Sequence, residues 1–182
     1  MRASACGVET TMLTLSLLRH AKSSWDNAKL RDVERPLNDR GRDAAPRIGA
    51  FMAANRIVPE LVLCSSSVRT RQTLDLVLPN LSPTPAVSYE EAIYLAPPTV
   101  LLKRLKKVEN SVGHVMIVAH DPGLHRLALE LCGSGDPEML QALARKFPTA
   151  ALAVIRFETS AWSKLKAGSG RLALFITPKS LT

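Results

Sequence analysis

Residues 13–20 read LTLSLLRH, an apolar run that first alternates and then stops abruptly at Arg19 and His20. This pattern predicts a β-strand buried inside a sheet, with two polar side chains at its carboxyl end. Three further short apolar runs suit strands: ELVLC (residues 60–64), AVSY (residues 86–89) and HVMIVA (residues 114–119). Segments with helical spacing of apolar residues separate these runs. We therefore predict a single-domain three-layer α/β/α sandwich with a mostly parallel central sheet.

The remaining elements are predicted from periodicity and capping residues. A helix is expected to begin at Asn38, because asparagine favours the N-cap position. The other predicted helices cover residues 68–78, 97–108, 124–132 and 137–144, and two last strands cover residues 150–157 and 171–176. Strands that alternate with helices in this way place their ligands at the carboxyl ends of the strands.

Composition and charge fit one packed domain with an anionic partner. The chain has 182 residues, of which 46% are hydrophobic and 22% charged, which excludes a collagen, a disordered chain and a disulfide scaffold. Its formal net charge of +8 suits phosphorylated substrates or an acidic protein face. With only 2 Trp, 2 Tyr and 4 Phe, the chain has few side chains on which bases could stack, so no nucleic-acid partner is expected.

Cysteine usage and the N-terminal residues predict a cytoplasmic protein. Cys6, Cys64 and Cys132 are odd in number and widely spaced, which favours a reducing compartment. Residues 1–12 lack the apolar stretch of a signal peptide, and no run approaches the roughly 20 apolar residues of a membrane span. We predict that residues 1–12 are an N-terminal extension, and that no membrane is a partner.

Polar side chains follow four of the predicted strands. They are Arg19 and His20 after the first, residues 65–71 with Arg69 after the second, Glu90 and Glu91 after the third, and His120 after the fourth. Because the carboxyl ends of parallel strands meet at one edge of a sheet, we expect these side chains to line one crevice.

Two arginines and two imidazoles in one crevice suit a phosphate group. Guanidinium forks match phosphate oxygens, so neither a metal nor a cofactor is required. A neutral His20 could accept a phosphoryl group, while Arg19, Arg69 and His120 stabilise the charge on its oxygens. Glu91 is the candidate acid for the leaving group, with Glu90 as the alternative.

Other interpretations of single residues are weaker. A metal site of His114, His120, Asp121 and His125 is disfavoured, because strand alternation separates these side chains and nearby arginines repel a cation. Cys64 lies before a serine cluster and Arg69, but its spacing from the arginines does not suit a cysteine phosphatase. Arg71 could be a second phosphate contact or a charge on the helix surface.

Four segments together carry a family resemblance: LLRHAKSSW, RPLNDRG, SSSVRTRQT and VAHDPG. The chain resembles the histidine phosphatase superfamily, specifically its small phosphohistidine phosphatase branch of the SixA type. The resemblance implies a phosphoglycerate mutase-like fold, with residues 13–182 as the catalytic domain. It also implies that His20 is the phosphorylated nucleophile, that Arg19, Arg69 and His120 bind phosphate, and that Ser23 and Asp26 flank the pocket.

The function that the resemblance implies is removal of phosphate from phosphohistidine on a phosphorelay or signalling protein. Two alternatives stay open. One is a phosphomonoesterase or pyrophosphatase that acts on a small phosphorylated metabolite by the same first step. The other is a noncatalytic module that binds phosphoproteins.

Overall fold

A computed structural model describes residues 12–181 and contains a seven-stranded sheet between two layers of helices. The strands are β1 (Met12–Arg19), β2 (Leu61–Ser65), β3 (Ala86–Glu90), β4 (His114–Ala119), β5 (Cys132–Gly135), β6 (Leu152–Glu158) and β7 (Gly170–Ile176). The helices are α1 (Asp39–Ala54), α2 (Val68–Val77), α3 (Pro98–Leu105), α4 (Gly123–Leu131) and α5 (Pro137–Arg145). The predicted extension, residues 1–12, lies outside the described part of the chain except for Met12, which begins β1.

The strand order is β3-β2-β4-β1-β6-β7-β5. Strand β1 pairs in parallel with β4, which pairs in parallel with β2, and β2 pairs in parallel with β3. Strand β6 runs antiparallel to both β1 and β7, and β5 pairs in parallel with β7. The carboxyl ends of β1, β2, β3 and β4 therefore share one edge of the sheet, called here the carboxyl edge.

Each face of the sheet buries one apolar cluster. Helices α1 and α2 cover one face with side chains such as Ile48 and Leu74. Helices α3, α4 and α5 cover the other face, where Leu101, Leu127 and Leu143 are fully or almost fully buried. This arrangement confirms the predicted three-layer α/β/α sandwich with a mostly parallel sheet.

Local capping explains where the two helices nearest the carboxyl edge begin. The Asn38 side chain accepts a hydrogen bond from the Gly41 backbone N–H at 3.0 Å, which confirms the predicted start of α1. The Ser67 side chain likewise accepts from the Thr70 backbone N–H at the start of α2. Both caps fix the helix entry next to a strand end that carries predicted site residues.

None of the helices found in residues 12–181 combines the length and apolar character that a transmembrane span requires.

Candidate active site

His20 lies at the carboxyl end of β1 and is only 7% exposed. Its backbone N–H donates to the Ala119 carbonyl at 3.1 Å, so the pairing of β1 with β4 continues one residue past the strand. Its ring Nδ1 lies 2.7 Å from the Ala21 carbonyl oxygen. Because a carbonyl can only accept, Nδ1 carries the proton and Nε2 carries the lone pair. This arrangement leaves Nε2 as the nucleophilic nitrogen.

Burial lowers the pKa of His20 from 6.5 to about 4. The hydrogen bond to Ala21 opposes this shift, whereas the positive charges of Arg69 and Arg19 add to it. His20 is therefore neutral near pH 7, the state in which an imidazole can attack phosphorus.

His120 follows β4, and its ring centroid lies 5.2 Å from that of His20. Its Nδ1 lies 3.3 Å from Nη2 of Arg69, and its Nε2 lies 2.7 Å from the Ser65 hydroxyl. A guanidinium only donates, so Nδ1 is the acceptor and Nε2–H donates to Ser65. Burial, followed by the charges of His20 and Arg69, lowers the pKa of His120 to about 3.

Arg69 lies in the first turn of α2 and is only 4% exposed. Its Nη2 donates to Oδ2 of Asp32 at 2.9 Å, and its Nη1 donates to the Asp32 backbone carbonyl. The Tyr94 hydroxyl donates to the same Asp32 oxygen at 2.5 Å. Asp32 and Tyr94 thus hold the guanidinium beside His120.

The carboxylate of Asp32 is ionised. Burial alone would raise the pKa of Asp32, but the hydrogen bonds from Tyr94 and Arg69 and the charges of Arg69 and Arg35 outweigh it and lower the pKa. The partner hydroxyl responds in the opposite direction, because burial and the Asp32 carboxylate raise the pKa of Tyr94.

Arg19 is held at the end of β1 by groups from two other segments. Its Nη1 donates to the Phe147 carbonyl at 2.7 Å and lies 3.9 Å from Oδ2 of Asp121. Burial lowers the pKa of Arg19, Asp121 opposes this shift, and the charge of Arg69 adds to it. Its Nε is buried without a hydrogen-bond partner among the described residues. A buried unpaired donor on a guanidinium suits an anionic ligand.

The structure brings four of the predicted residues, His20, Arg19, Arg69 and His120, to the carboxyl edge. The position of the predicted acid is different. Glu91 is exposed directly after β3, and no hydrogen bond or ion pair within residues 12–181 joins its side chain to the histidines. The alternative, Glu90, accepts hydrogen bonds from Arg104 Nε at 2.9 and 3.0 Å. The role of Glu91 stays a prediction.

Ser23 and Asp26 lie in the segment between β1 and α1. Ser23 is 8% exposed and forms an isolated antiparallel bridge with Leu37. Asp26 is exposed and accepts a hydrogen bond from the Ser24 hydroxyl at 2.7 Å. Among the described residues, no recorded contact connects either side chain to the cluster around His20, so their role in binding phosphate also stays a prediction.

Reasoning from the sequence missed Asp32 and Tyr94 as members of the site, and it gave Ser65 no role beyond its place in the polar stretch after the second predicted strand. It also missed Arg35, whose guanidinium carbon lies 3.4 Å from the centroid of the exposed Trp25 ring. The Nε of Arg35 is 3.8 Å from Asp32, and its Nε and Nη1 are buried without hydrogen-bond partners among the described residues. The signal for Arg35 was available, because it begins the quoted motif RPLNDRG.

The metal site and the cysteine phosphatase find no support in the geometry of the described residues, and Arg71 fits one of its two interpretations. Residues 12–181 hold no group of three or more His, Cys, Asp or Glu side chains suited to a metal ion. Burial raises the pKa of Cys64 to about 12, so its thiol is not a nucleophilic thiolate at neutral pH. Arg71 donates to the Ser66 carbonyl at 3.0 Å and stacks near Tyr89, which suits a residue on the helix surface.

A neutral imidazole beside two arginines and a second imidazole, at the carboxyl edge of an α/β/α sandwich, defines a pocket for phosphoryl transfer. The family model of the histidine phosphatase superfamily (branch 1) matches residues 15–92. The chain belongs to this superfamily, which confirms the resemblance carried by its motifs.

Individual relatives extend the match over most of the chain. An uncharacterised protein from Mycobacterium leprae is 33% identical over 166 residues, covering 89% of this chain and all of the relative. The phosphohistidine phosphatase SixA of Escherichia coli is 27% identical over 146 residues, covering 79% of this chain and 85% of that protein. A crystal structure of a candidate phosphohistidine phosphatase SixA from Agrobacterium tumefaciens superimposes with a TM-score of 0.77 at 29% identity, covering 91% and 98% of the two chains. These findings support a phosphatase that works through a histidine, with a phosphoglycerate mutase-like fold.

Proposed function

We propose that this protein hydrolyses phosphohistidine on a phosphorelay or signalling protein, through a phosphorylated His20 and without a metal ion. The observation that carries the proposal is the hydrogen bond from His20 Nδ1 to the Ala21 carbonyl, at 2.7 Å. It holds a neutral imidazole in the tautomer that leaves Nε2 free to attack phosphorus.

In the first step, the Nε2 lone pair of His20 forms a bond to phosphorus as the bond from phosphorus to the substrate imidazole breaks. The electron pair of the broken bond stays on the substrate nitrogen, and that imidazole leaves neutral when its other nitrogen carries a proton. In the second step, a water oxygen attacks phosphorus and the bond to His20 breaks. Inorganic phosphate leaves with one proton of the water, the other passes to solvent, and neutral His20 is restored.

Arg19, Arg69 and His120 stabilise the phosphoryl oxygens during both steps. The two guanidiniums supply charge-assisted donors, which are worth most in a buried site. Negative charge on a bound phosphoryl group favours protonation of His120, because an opposite charge raises the pKa of an imidazole. The low pKa of His120 in the free protein therefore does not prevent it from donating to the phosphoryl group.

The substrate class is inferred from the leaving group. A lowered pKa keeps Asp32 ionised, so it is a poor proton donor, and Glu91 is exposed. An alkyl phosphate would need a strong acid to protonate its departing oxygen. The imidazole of a phosphohistidine can leave with the proton it already carries. It therefore suits a pocket in which Asp32 is ionised and Glu91 is exposed.

The test compares kcat/KM for a phosphohistidine-bearing phosphotransfer domain and for a small aryl phosphate, both in EDTA. A preference for phosphohistidine by orders of magnitude is expected. Equal or faster turnover of the aryl phosphate would instead indicate a phosphatase for small metabolites. Loss of activity in EDTA that a divalent ion restores would contradict metal independence, and no turnover of either substrate would indicate a binding module. Cytoplasmic location and a role in signalling stay predictions.

A further inference from the structure

A cavity of about 330 Å³ opens beside the candidate active site, on the face of the sheet covered by α1. Most of its charged lining is positive, and we call it the basic cavity. Its cationic side chains are Lys22, Arg40, Arg47, Lys146 and Lys179. Asp43 is the one carboxylate among the lining residues.

The basic cavity lies at the same end of the sheet as His20. Leu18 of β1 pairs with Leu152 of β6, which pairs with Ile176 of β7. Strand β7 is therefore the second strand from β1, and the cavity residue Thr177 directly follows its last residue. Two strand spacings correspond to about 10 Å. Lys22, which also lines the cavity, is only two residues beyond His20.

The segment that holds Arg19 also forms a wall of the cavity. Arg19 donates to the carbonyl of Phe147, and the next residue, Pro148, lines the cavity. The Ala150 backbone N–H donates to the carbonyls of Arg19 and His20, at 3.1 Å each. Residues 147–150 thus contact the catalytic cluster through Arg19 and His20 and line the basic cavity with Pro148 and Thr149.

Three of the cations are available for a ligand. Asp43 lies 3.5 Å from Arg47 and partly neutralises it. By contrast, no carboxylate in the described range 12–181 lies within 4 Å of a charged nitrogen of Lys22, Arg40 or Lys146. All three residues are exposed. Such a concentration of one charge in a concave surface attracts anions.

We propose that the basic cavity binds an acidic side chain of the substrate protein, located about three residues from the phosphohistidine. This inference rests on the proposed function, because it names the part of the substrate that contacts the chain outside the phosphoryl pocket. An extended peptide spans about 3.3 Å per residue, so three residues cover the separation of about 10 Å.

The lining favours a carboxylate side chain over a small polyphosphate. Ala44, Pro148 and Pro178 give the cavity apolar walls, against which the methylene groups of a glutamate can pack. The cations lie on four separate segments of the chain. A backbone N–H that could add to a polyphosphate site is already engaged, because the Asn38 side chain accepts from the Gly41 N–H at the start of α1.

The first experiment measures binding without chemistry. A fluorescent, unphosphorylated peptide with histidine at its centre and glutamates three residues to either side is titrated with wild-type protein. The double variant Arg40→Gln with Lys146→Gln is expected to bind about fivefold to tenfold more weakly, a change on the scale of two exposed ion pairs. The matched control, Lys103→Gln with Lys107→Gln, removes the same charge from α3 and the residues after it, across the sheet, and is expected to bind like the wild type. Equal weakening by both pairs, or by neither, would overturn the proposal, and so would displacement of the peptide by a nucleoside triphosphate at far lower concentration.

The second experiment uses phosphohistidine forms of this peptide and of a version with glutamine in place of glutamate. Wild-type protein is expected to hydrolyse the glutamate peptide with at least a fivefold higher kcat/KM, mostly through KM, and the Arg40→Gln, Lys146→Gln variant to lose this preference. Equal hydrolysis of both peptides by the wild type would contradict the cavity proposal and leave the proposed function standing. Cavity-dependent binding without hydrolysis of either phosphopeptide would support the cavity proposal and contradict the proposed function.

Discussion

At the scale of single residues, the chemistry depends on the tautomer of His20. Its Nδ1 is occupied by the Ala21 carbonyl, so only Nε2 can become phosphorylated. His20→Ala is expected to abolish turnover and any acid-labile phosphoenzyme, because the other imidazole of the site, His120, has both ring nitrogens engaged by Arg69 and Ser65. Rapid-quench labelling with a radioactive phosphohistidine substrate measures both. Turnover above background by a variant that retains the wild-type unfolding temperature would contradict the assignment.

Tyr94 is a positioning residue, because it acts on Arg69 through Asp32. Tyr94→Phe removes the hydroxyl that donates to Asp32 at 2.5 Å. We expect kcat/KM to fall about tenfold, the effect of losing one hydrogen bond to a charged group. The pKa of Asp32 should also rise, since that hydrogen bond is one of the causes that lower it.

Asp32→Asn and the double variant Tyr94→Phe with Asp32→Asn provide the control. Asp32→Asn removes the carboxylate that the Tyr94 hydroxyl contacts, so adding Tyr94→Phe to it should lower kcat/KM no further. If Tyr94→Phe lowers kcat/KM by the same factor with and without the Asp32 carboxylate, the hydroxyl does not act through Asp32.

At the scale of elements, Gly41 sets how closely α1 approaches the segment after His20. A Cβ at this position would lie 2.2 Å from the Lys22 carbonyl oxygen and 2.9 Å from its nitrogen. Both atoms are backbone, so Gly41→Ala forces the helix or the segment to move. We expect a loss of roughly 1–3 kcal/mol in the free energy of unfolding, the usual cost of overpacking, although alanine favours helix. Activity should fall as well, because Lys22 is two residues from His20.

Urea unfolding and kcat/KM together test this prediction. Ala50→Gly, at an exposed position of the same helix, is the matched control. It should cost about 1 kcal/mol of stability and leave activity unchanged. A more stable Gly41→Ala variant with full activity would show that α1 has room at this position.

The elements also show what the sequence could and could not predict. Strands β1, β2 and β4 follow from apolar runs, because a parallel strand buried on both faces is apolar along its length. Strand β5 (Cys132–Gly135) was missed, and the predicted helix over residues 124–132 wrongly included Cys132. Its sequence, CGSG, has little intrinsic preference for a strand, and pairing with β7 determines its conformation.

The residues of the candidate site likewise divide into those that the sequence predicts and those that it does not. Residues that directly follow a strand, such as His20 and His120, are predictable because the sheet itself brings them together. Asp32 and Tyr94 lie on connections, and their contacts join residues 37 and 62 positions apart. Such contacts depend on how the segment between β1 and α1 folds over the carboxyl edge, which no local pattern specifies. Glu91 was predicted to be the acid because it follows β3, but its position in the chain does not determine the direction of its side chain.

At the scale of the whole molecule, the buried His20 and His120 and the half-buried His114 make stability depend on pH. Burial is the largest cause that lowers the pKa of each: to about 4 for His20, about 4 for His114 and about 3 for His120, from an ordinary value of 6.5. The folded protein therefore keeps these imidazoles neutral, whereas the unfolded chain protonates them below pH 6.5. The unfolded state binds more protons between pH 6.5 and about 4, so stability falls as the pH falls through this window.

The free energy of unfolding should decrease by up to about 1.4 kcal/mol per pH unit for each of these histidines, or roughly 4 kcal/mol per unit for all three. Urea unfolding at pH 7.5, 6.5, 5.5 and 4.5 measures the slope. Most of the window lies above the range in which Asp32, with its lowered pKa, would lose its charge. His114→Gln removes one of the three groups at a position outside the candidate site, and should reduce the slope by about a third. A flat profile down to pH 5 would mean that the histidines accept protons in the folded state as readily as in the unfolded chain, which would contradict their lowered pKa values.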